Sequence, residues 1–222
     1  MMQWPTASEL GALIKLPDGY RFEFLRRADV HELAAALGRW HPDIAIGGGS
    51  CYLREAFYTD QVYFEGGPDR DVMVVVFVQG QDLVGMWSLE KETDSLALYA
   101  RLIVIDPKHR SAKLASNVMP IAESVGRAMG AGLIFGAATL KIPHMQHALE
   151  AVGWQFVGFS SGYDQEMVSP GVVKRVFEAV YCKVLVPEED LVHPDPKNLT
   201  PRARALWDAI CGDTASALGL RQ

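Results

Sequence analysis

Lys108, His109, Arg110 and Lys113 crowd positive charge into one stretch, Asp106-Pro-Lys-His-Arg-Ser-Ala-Lys-Leu-Ala115, of a chain whose formal net charge is −6. The stretch leaves an apolar run, Leu102–Ile105, and opens onto a helical pattern. Free N–H groups at a helix start, with the helix dipole behind them, form an anion site. A pyrophosphate would fit there, although a basic cluster beside a turn is also the ordinary look of a solvated surface. Proton-transfer groups lie elsewhere. Glu90 and Glu92, near the end of a predicted hairpin, have the chemistry of a general base, or are exposed turn charges. His144 and His147 are three residues apart on one predicted helix face, and histidine exchanges protons near neutral pH. Tyr163 is a further proton donor. His144, His147 and Glu150 have a metal-like spacing, but no further ligand accompanies them and no metal is expected.

Two other stretches carry less. Gly47-Gly48-Gly49-Ser50 lacks the Lys-Ser/Thr that completes a phosphate-binding loop, and reads as a flexible connection that shapes an acceptor site. Cys51 has no base assigned to it and is not a convincing nucleophile. Tyr52, Phe57, Tyr58, Tyr63 and Phe64 recur at mixed helical spacing, as core residues or as the lining of a pocket.

These groups must be held by regular elements. Tyr20–Leu25 alternates rings and polar residues, as a strand does; Asp29 then caps a helix through Val30, Leu33, Ala34 and Leu37. Ser50 caps a second helix over Tyr52–Tyr63. Asp71–Val78 and Leu83–Glu90 flank the turn Gln79-Gly80-Gln81-Asp82 and form a hairpin. Leu96–Ile105 is the fourth strand. A helix from about Leu114 to Met129 follows, and Leu133–Ala138 is the fifth strand, continuously apolar and buried on both faces. Pro143 opens a helix that stops at Gly153, and Trp154–Phe159 and Arg175–Leu185 are the last strands. Pro120 leaves the third helix with two readings: a start near Ala112 puts the proline in its interior, at a cost of ~3 kcal/mol and a kink, whereas a cap at Ser116 or Asn117 puts it in the first turn. The order is α/β with a mixed sheet. From Pro187 the chain changes character: residues 187–199 form a linker or strap, and Thr200-Pro201 begins a last helix that ends before Gly212.

The chain has 222 residues, 49% hydrophobic and 22% charged, which suits one large folded unit and excludes a disordered chain. No basic excess marks a nucleic-acid binder. Cys51, Cys182 and Cys211 are far apart and odd in number, which argues against a disulfide framework and for a reducing cytoplasm. Met1–Leu16 lacks the pattern of a signal peptide, and the longest apolar runs fall well short of the ~20 residues of a membrane span.

Three stretches in combination, Leu102–Ala115, Leu133–Ala138 and His147-Ala-Leu-Glu-Ala-Val-Gly153-Trp154, resemble the GNAT superfamily of acyl-CoA-dependent N-acyltransferases. The resemblance covers about Tyr20–Leu185, and residues 187–222 would pack as an extension on this domain (residues 1–186) or on a partner subunit. It implies a mixed, mostly antiparallel central sheet flanked by helices, whose fourth and fifth strands splay apart. It implies that amides of Arg110, Ser111, Ala112, Lys113, Leu114 and Ala115 hold the cofactor pyrophosphate, and that the strand edge at Ile103, Val104 and Ile105 pairs with the pantetheine arm. Arg110 and Ala115 match the family's loop pattern, whereas Lys113 stands where the family has glycine. Leu149 stands where many members have a tyrosine acid, so the acid must come from elsewhere: His147 and Tyr163 are the candidates, with Glu90 as base. The implied activity is transfer of an acetyl or other acyl group from acetyl-CoA, or another acyl-CoA, to a small-molecule or peptide amine by direct attack. Two alternatives stand beside it: an N-acyl amino acid or acyl-homoserine-lactone type synthase using an acyl-carrier protein, and a non-catalytic acyl-CoA or small-ligand sensor. Pairing through the last strands would make a homodimer.

Overall fold

The computed structural model describes residues 2–13, 16–112 and 114–217. Its elements run α1 (Ala7–Leu13), β1 (Tyr20–Phe24), α2 (Val30–Trp40), α3 (Glu55–Gln61), β2 (Val62–Tyr63), β3 (Val72–Gln79), β4 (Asp82–Glu92), β5 (Ala97–Ile105), α4 (Leu114–Ala128), β6 (Leu133–Thr139), α5 (His144–Ala151), β7 (Gln155–Ser169), β8 (Val172–Val184) and α6 (Pro201–Ala217). One sheet of eight strands has the order β1-β3-β4-β5-β6-β8-β7, with the short β2 added parallel to β3. Along the main path every pairing is antiparallel except β5 with β6.

The central strands are apolar on both sides because both faces are covered. Met73, Val75, Phe77, Trp87, Leu89 and Leu98 pack under α1, α4 and α5, where Leu10, Leu114, Val118, Val125 and Leu149 meet them. Val72, Val74, Val76, Met86 and Val104 pack under α2 and α3 against Leu33, Leu37, Tyr52 and Tyr58. Burial of apolar surface on this scale is the main force holding the layers together.

Two irregularities matter for the site. Ser88 pairs with Leu102 but the next residue, Leu89, pairs with Ala100, so Arg101 is an extra residue, a β-bulge in β5. Pairing of β5 with β6 starts at Ala97 and Leu133 and stops at Ala100 and Gly136. The bulge bends β5 where the two strands part, and the expected splay of the fourth and fifth predicted strands is seen here.

The structure departs from the sequence reading at several points. The expected helix over Tyr52–Tyr63 is divided: Gly48–Leu53 is a 3-10 segment, Arg54 is extended, and only Glu55–Gln61 is α-helical. Tertiary hydrogen bonds decide this, since the Tyr52 hydroxyl meets Ser88 Oγ at 2.6 Å and the Tyr58 hydroxyl donates to Tyr52 O at 2.8 Å. Both bonds fix the rings by what lies beneath them, not by helical spacing. The strand after Trp154 runs to Ser169, because register shifts near Gly158 and between Ser160 and Asp164 absorb its glycines. The last helix passes Gly212 and reaches Ala217. The helix α1 was not anticipated. Of the two readings for Pro120, the interior one holds: α4 begins at Leu114 and carries Pro120 on its exposed side.

Candidate active site

Where β5 and β6 part, a cleft of about 560 Å³ opens in the sheet. On the α4 and α5 side its walls are Trp87, Ile103, Met119, Met145, Leu149 and Trp154. On the α2 side they are Gly48, Tyr52, Tyr99 and Arg101, with the β7–β8 hairpin closing from Tyr163 to Glu166. Beyond Ala100 the β6-facing edge of β5 has no ladder partner among the described residues. Its N–H and C=O groups are therefore free to pair with an extended ligand. The β6 wall is Gly136-Ala137-Ala138, and small residues keep the gap open. A Cβ on Gly136 would stand 3.2 Å from Ala100 O, so this wall tolerates no side chain without movement.

The basic loop lies at the end of β5. Asp106 Oδ1 accepts from Lys108 N at 2.9 Å and Asp106 O accepts from His109 N at 2.8 Å, which fixes the 3-10 turn Pro107–Ala112 ahead of α4. His109 Nδ1 lies 3.0 Å from the Tyr20 hydroxyl. The Arg110 guanidinium donates to Ile105 O and to Trp40 O, each at 3.4 Å, and so ties β5 to the last turn of α2. Ser111 is exposed, Ala112 and Ala115 are half-buried, and Leu114 is in the core. Lys113 lies outside the described residues. Of the predicted pairing edge, Ile103 lines the cleft, while Val104 and Ile105 are buried farther along β5.

The predicted proton-transfer residues separate. Glu90 lines the cleft and accepts a hydrogen bond from Arg101 Nη1 at 2.5 Å. Arg101 is further placed over the Tyr52 and Phe57 rings and within 3.4 Å of Cys51 Sγ. Tyr163 also lines the cleft, beside Tyr99, whose own ring stacks on Phe135 at 5.1 Å. Burial pushes the Tyr99 hydroxyl pKa up, with the neighbouring Tyr163 and Glu178 adding to it. His147 is exposed on α5 and points away from the cleft lining; Met145 and Leu149 represent that helix there. Glu92 is on the rim.

Sequence reasoning missed most of the polar wall. Asp43, Asp164, Glu166 and Glu178 line the cleft with Glu90 and Glu92, against the permanent cations Arg101 and Lys141. Lys141 pairs with Glu166 at 2.8 Å and Asp43 at 3.7 Å. Asp164 Oδ1 accepts from Gly48 N at 2.8 Å and from Gln165 N at 2.7 Å. The triple glycine is thus a packed contact, not a loose connection: Gly47 has φ +83° and its missing Cβ is the space that Asp164 and Gln165 occupy. Glu178 faces Thr139 and Ser160 across the sheet, and burial, then the charges of Asp164 and Glu166, hold its carboxyl above the usual pKa. The one signal for it in the sequence is a carboxylate in the middle of an apolar strand. His41, at the end of α2, completes the rim, with its imidazole pKa lowered chiefly by desolvation.

No family profile and no curated protein matches the sequence. Solved structures do match the fold. Mutant forms of a spermidine/spermine N-acetyltransferase from Vibrio cholerae superpose with a TM-score of 0.59 at 14% identity, over 76% of this chain and 95% of that one. A ribosomal-protein-S5-alanine acetyltransferase from Vibrio fischeri gives 0.56 at 12% identity, over 76% and 94%. An IAA acetyltransferase from Bacillus cereus gives 0.53 at 10%, over 75% and 99%. With its parted parallel strands and bulged β5, this chain has the GNAT fold.

Proposed function

We propose that this chain is a GNAT-type acyltransferase that moves an acetyl group, or another acyl group, from acyl-CoA to a cationic primary amine. The observation that carries the reading is the parted pair β5 and β6, whose cleft offers a free strand edge and apolar walls on one side and carboxylates on the other. The free edge of β5 suits the amide-bearing arm of coenzyme A. The amides of Arg110, Ser111, Ala112, Leu114 and Ala115 suit its pyrophosphate, being at a helix start in a locally basic loop. The carboxylate wall suits an ammonium, and the named structural neighbours acetylate amines: spermidine or spermine in one case, a ribosomal-protein alanine in another. The carrier-protein alternative draws nothing from them. Attack is direct, and positioning of the thioester against the amine supplies most of the rate. Tyr163, on the cleft wall, is the proposed donor to the departing sulfur, in place of the family tyrosine that Leu149 replaces.

Among the described residues no helix is long and apolar enough to cross a membrane. One neighbour, a spermidine N-acetyltransferase, is dodecameric. Self-association of this chain remains part of the proposal, supported by Phe159 and Phe177 exposed on the β7–β8 hairpin, and light scattering checks it.

The test is thermal-shift titration with acetyl-CoA, free coenzyme A and longer acyl-CoAs, together with thiol release in the presence of amines. A ligand that binds only the folded state raises Tm. A shift that shrinks in Arg110→Ala, with amine-dependent thiol release, is the expected result. A shift with no thiol release for any amine leaves a sensor, and no shift with any coenzyme A thioester overturns the reading.

A further inference from the structure

We propose that Glu178 is the residue that receives the acceptor ammonium and takes its proton. This rests on the acyl-transfer reading of the same cleft and names its base. Three observations place it there. Glu178 lies on β8 directly opposite Thr139, the residue that ends β6, so its side chain is on the cleft face of the sheet just past the gap. Glu90 is already bound to Arg101, and Glu166 and Asp43 to Lys141, whereas Glu178 has no paired cation among the described residues. Finally, Glu178 lines the same cleft as Tyr99 and Tyr163, so the base and the proposed acid open onto one space.

The titratable and charged groups that line the cleft with Glu178 are Tyr163, Asp164 and Glu166 from β7, Tyr99 and Arg101 from β5, Glu90 and Glu92 from β4, Lys141 after β6, and His41, Asp43 and Tyr52 from the segment after α2. With Arg101 and Lys141 engaged by other carboxylates, the balance around Glu178 is negative and a substrate cation relieves it. A half-buried, uncompensated carboxylate is costly to a folded chain and well suited to a proton-abstracting site.

The proton and bond inventory closes as follows. Glu178 takes one proton from the ammonium, and the freed nitrogen lone pair forms the C–N bond at the thioester carbon. The C–S bond then breaks with its electron pair on sulfur. The thiolate takes the second nitrogen proton, relayed through the Tyr163 hydroxyl, and the proton on Glu178 passes to solvent. The products are an amide, a thiol and one proton.

The experiment compares wild type, Glu178→Gln and Glu178→Asp in thiol-release kinetics across pH, with coenzyme A thermal shifts as the binding readout. Glu178→Gln is expected to lose about a hundredfold or more in kcat/KM at neutral pH. Its coenzyme A shift should stay at the wild-type value. The acid limb of the wild-type pH profile, lying above the ordinary glutamate pKa, should be replaced in Glu178→Gln by a rise set by the free amine alone. Activity should recover toward pH 10, where the amine is already free, and Glu178→Asp should recover part of the rate. Glu178→Gln within threefold of wild type with its acid limb intact overturns the assignment and leaves the acyl-transfer reading standing. A wild type that binds acyl-CoA but releases no thiol with any amine overturns both.

Discussion

Replacing Gly136 with alanine tests the gap between β5 and β6 at its apex. The added Cβ would stand 3.2 Å from Ala100 O, 3.4 Å from Ala100 Cβ and 3.7 Å from Trp154 Cζ3. The first two are short of an ordinary contact by about 0.1–0.3 Å. The nearest atom is a backbone oxygen of β5, which has no rotamer to escape into. The strands must therefore move apart, or the ladder that ends at Ala100 and Gly136 must open by one pair. Overpacking of this kind costs about 1–2 kcal/mol. For a chain of this size each kcal/mol lowers Tm by about 2–4 °C, so Gly136→Ala should melt about 2–8 °C below wild type. Gly38→Ala is the matched control: Gly38 is in α2, nothing lies within 4 Å of its virtual Cβ, and the substitution should stabilise by about 0.5–1 kcal/mol. Melting curves with and without coenzyme A carry the assay, and the ligand-induced shift should shrink in Gly136→Ala only. A Gly136→Ala protein that melts with or above wild type and keeps its full ligand shift would refute the argument that this wall is packed to its limit beside the ligand path.

Glu123 on α4 pairs with Lys183 at 2.5 Å and Arg127 at 3.0 Å, and although burial acts to raise its pKa, these two cations hold it below the usual value. The ionised carboxylate therefore adds stability above its unfolded pKa, and that stability disappears as pH falls through the folded value. Glu123→Gln should lower Tm at pH 7, and the difference from wild type should disappear in melts taken well below pH 4.5. Asp164→Ala removes the acceptor for both Gly48 N and Gln165 N, so amide exchange at these two positions should speed up while the core strands keep their protection. Trp4→Ala empties a buried indole site whose Nε1 donates to Arg70 O and whose ring lies under Lys91, and chemical denaturation should show a loss of about 3–5 kcal/mol.

The elements around the site were legible where local chemistry and tertiary demand agree. Gln79–Asp82 turns between two β-rich runs and both strands form; Leu133–Ala138 is continuously apolar and forms β6, although only alternate residues, Ile134, Gly136 and Ala138, are buried and not both faces. Tyr52–Tyr63 was illegible because its rings answer to Ser88 and to each other, a constraint that exists only after β4 is in place. The turn between β5 and α4 could be read because a strand, a basic turn and a helix start are adjacent in sequence. The carboxylate wall could not, since Asp164 and Glu178 reach the cleft through a long hairpin whose register shifts between Ser160 and Asp164. A one-residue error there turns every side chain beyond it to the other face, and a two-residue error displaces it along the strand. His147 shows the converse: spacing placed it correctly on a helix, but said nothing of which side of that helix the cleft would occupy.

The bulge at Arg101 has a consequence for how this chain tolerates insertions and deletions. Leu98 and Ala100 face one core cluster, as do Ile103 and Ile105, while Leu102 and Val104 face the other. Taking Arg101 out of the sequence would leave these residues in unbroken alternation, each on the face it already occupies. A strand shortened in this way would lose no apolar burial and would gain regular pairing with β4. The apolar faces of the strand do not require this residue; what it brings is the bulge beside the opening and its bond to Glu90.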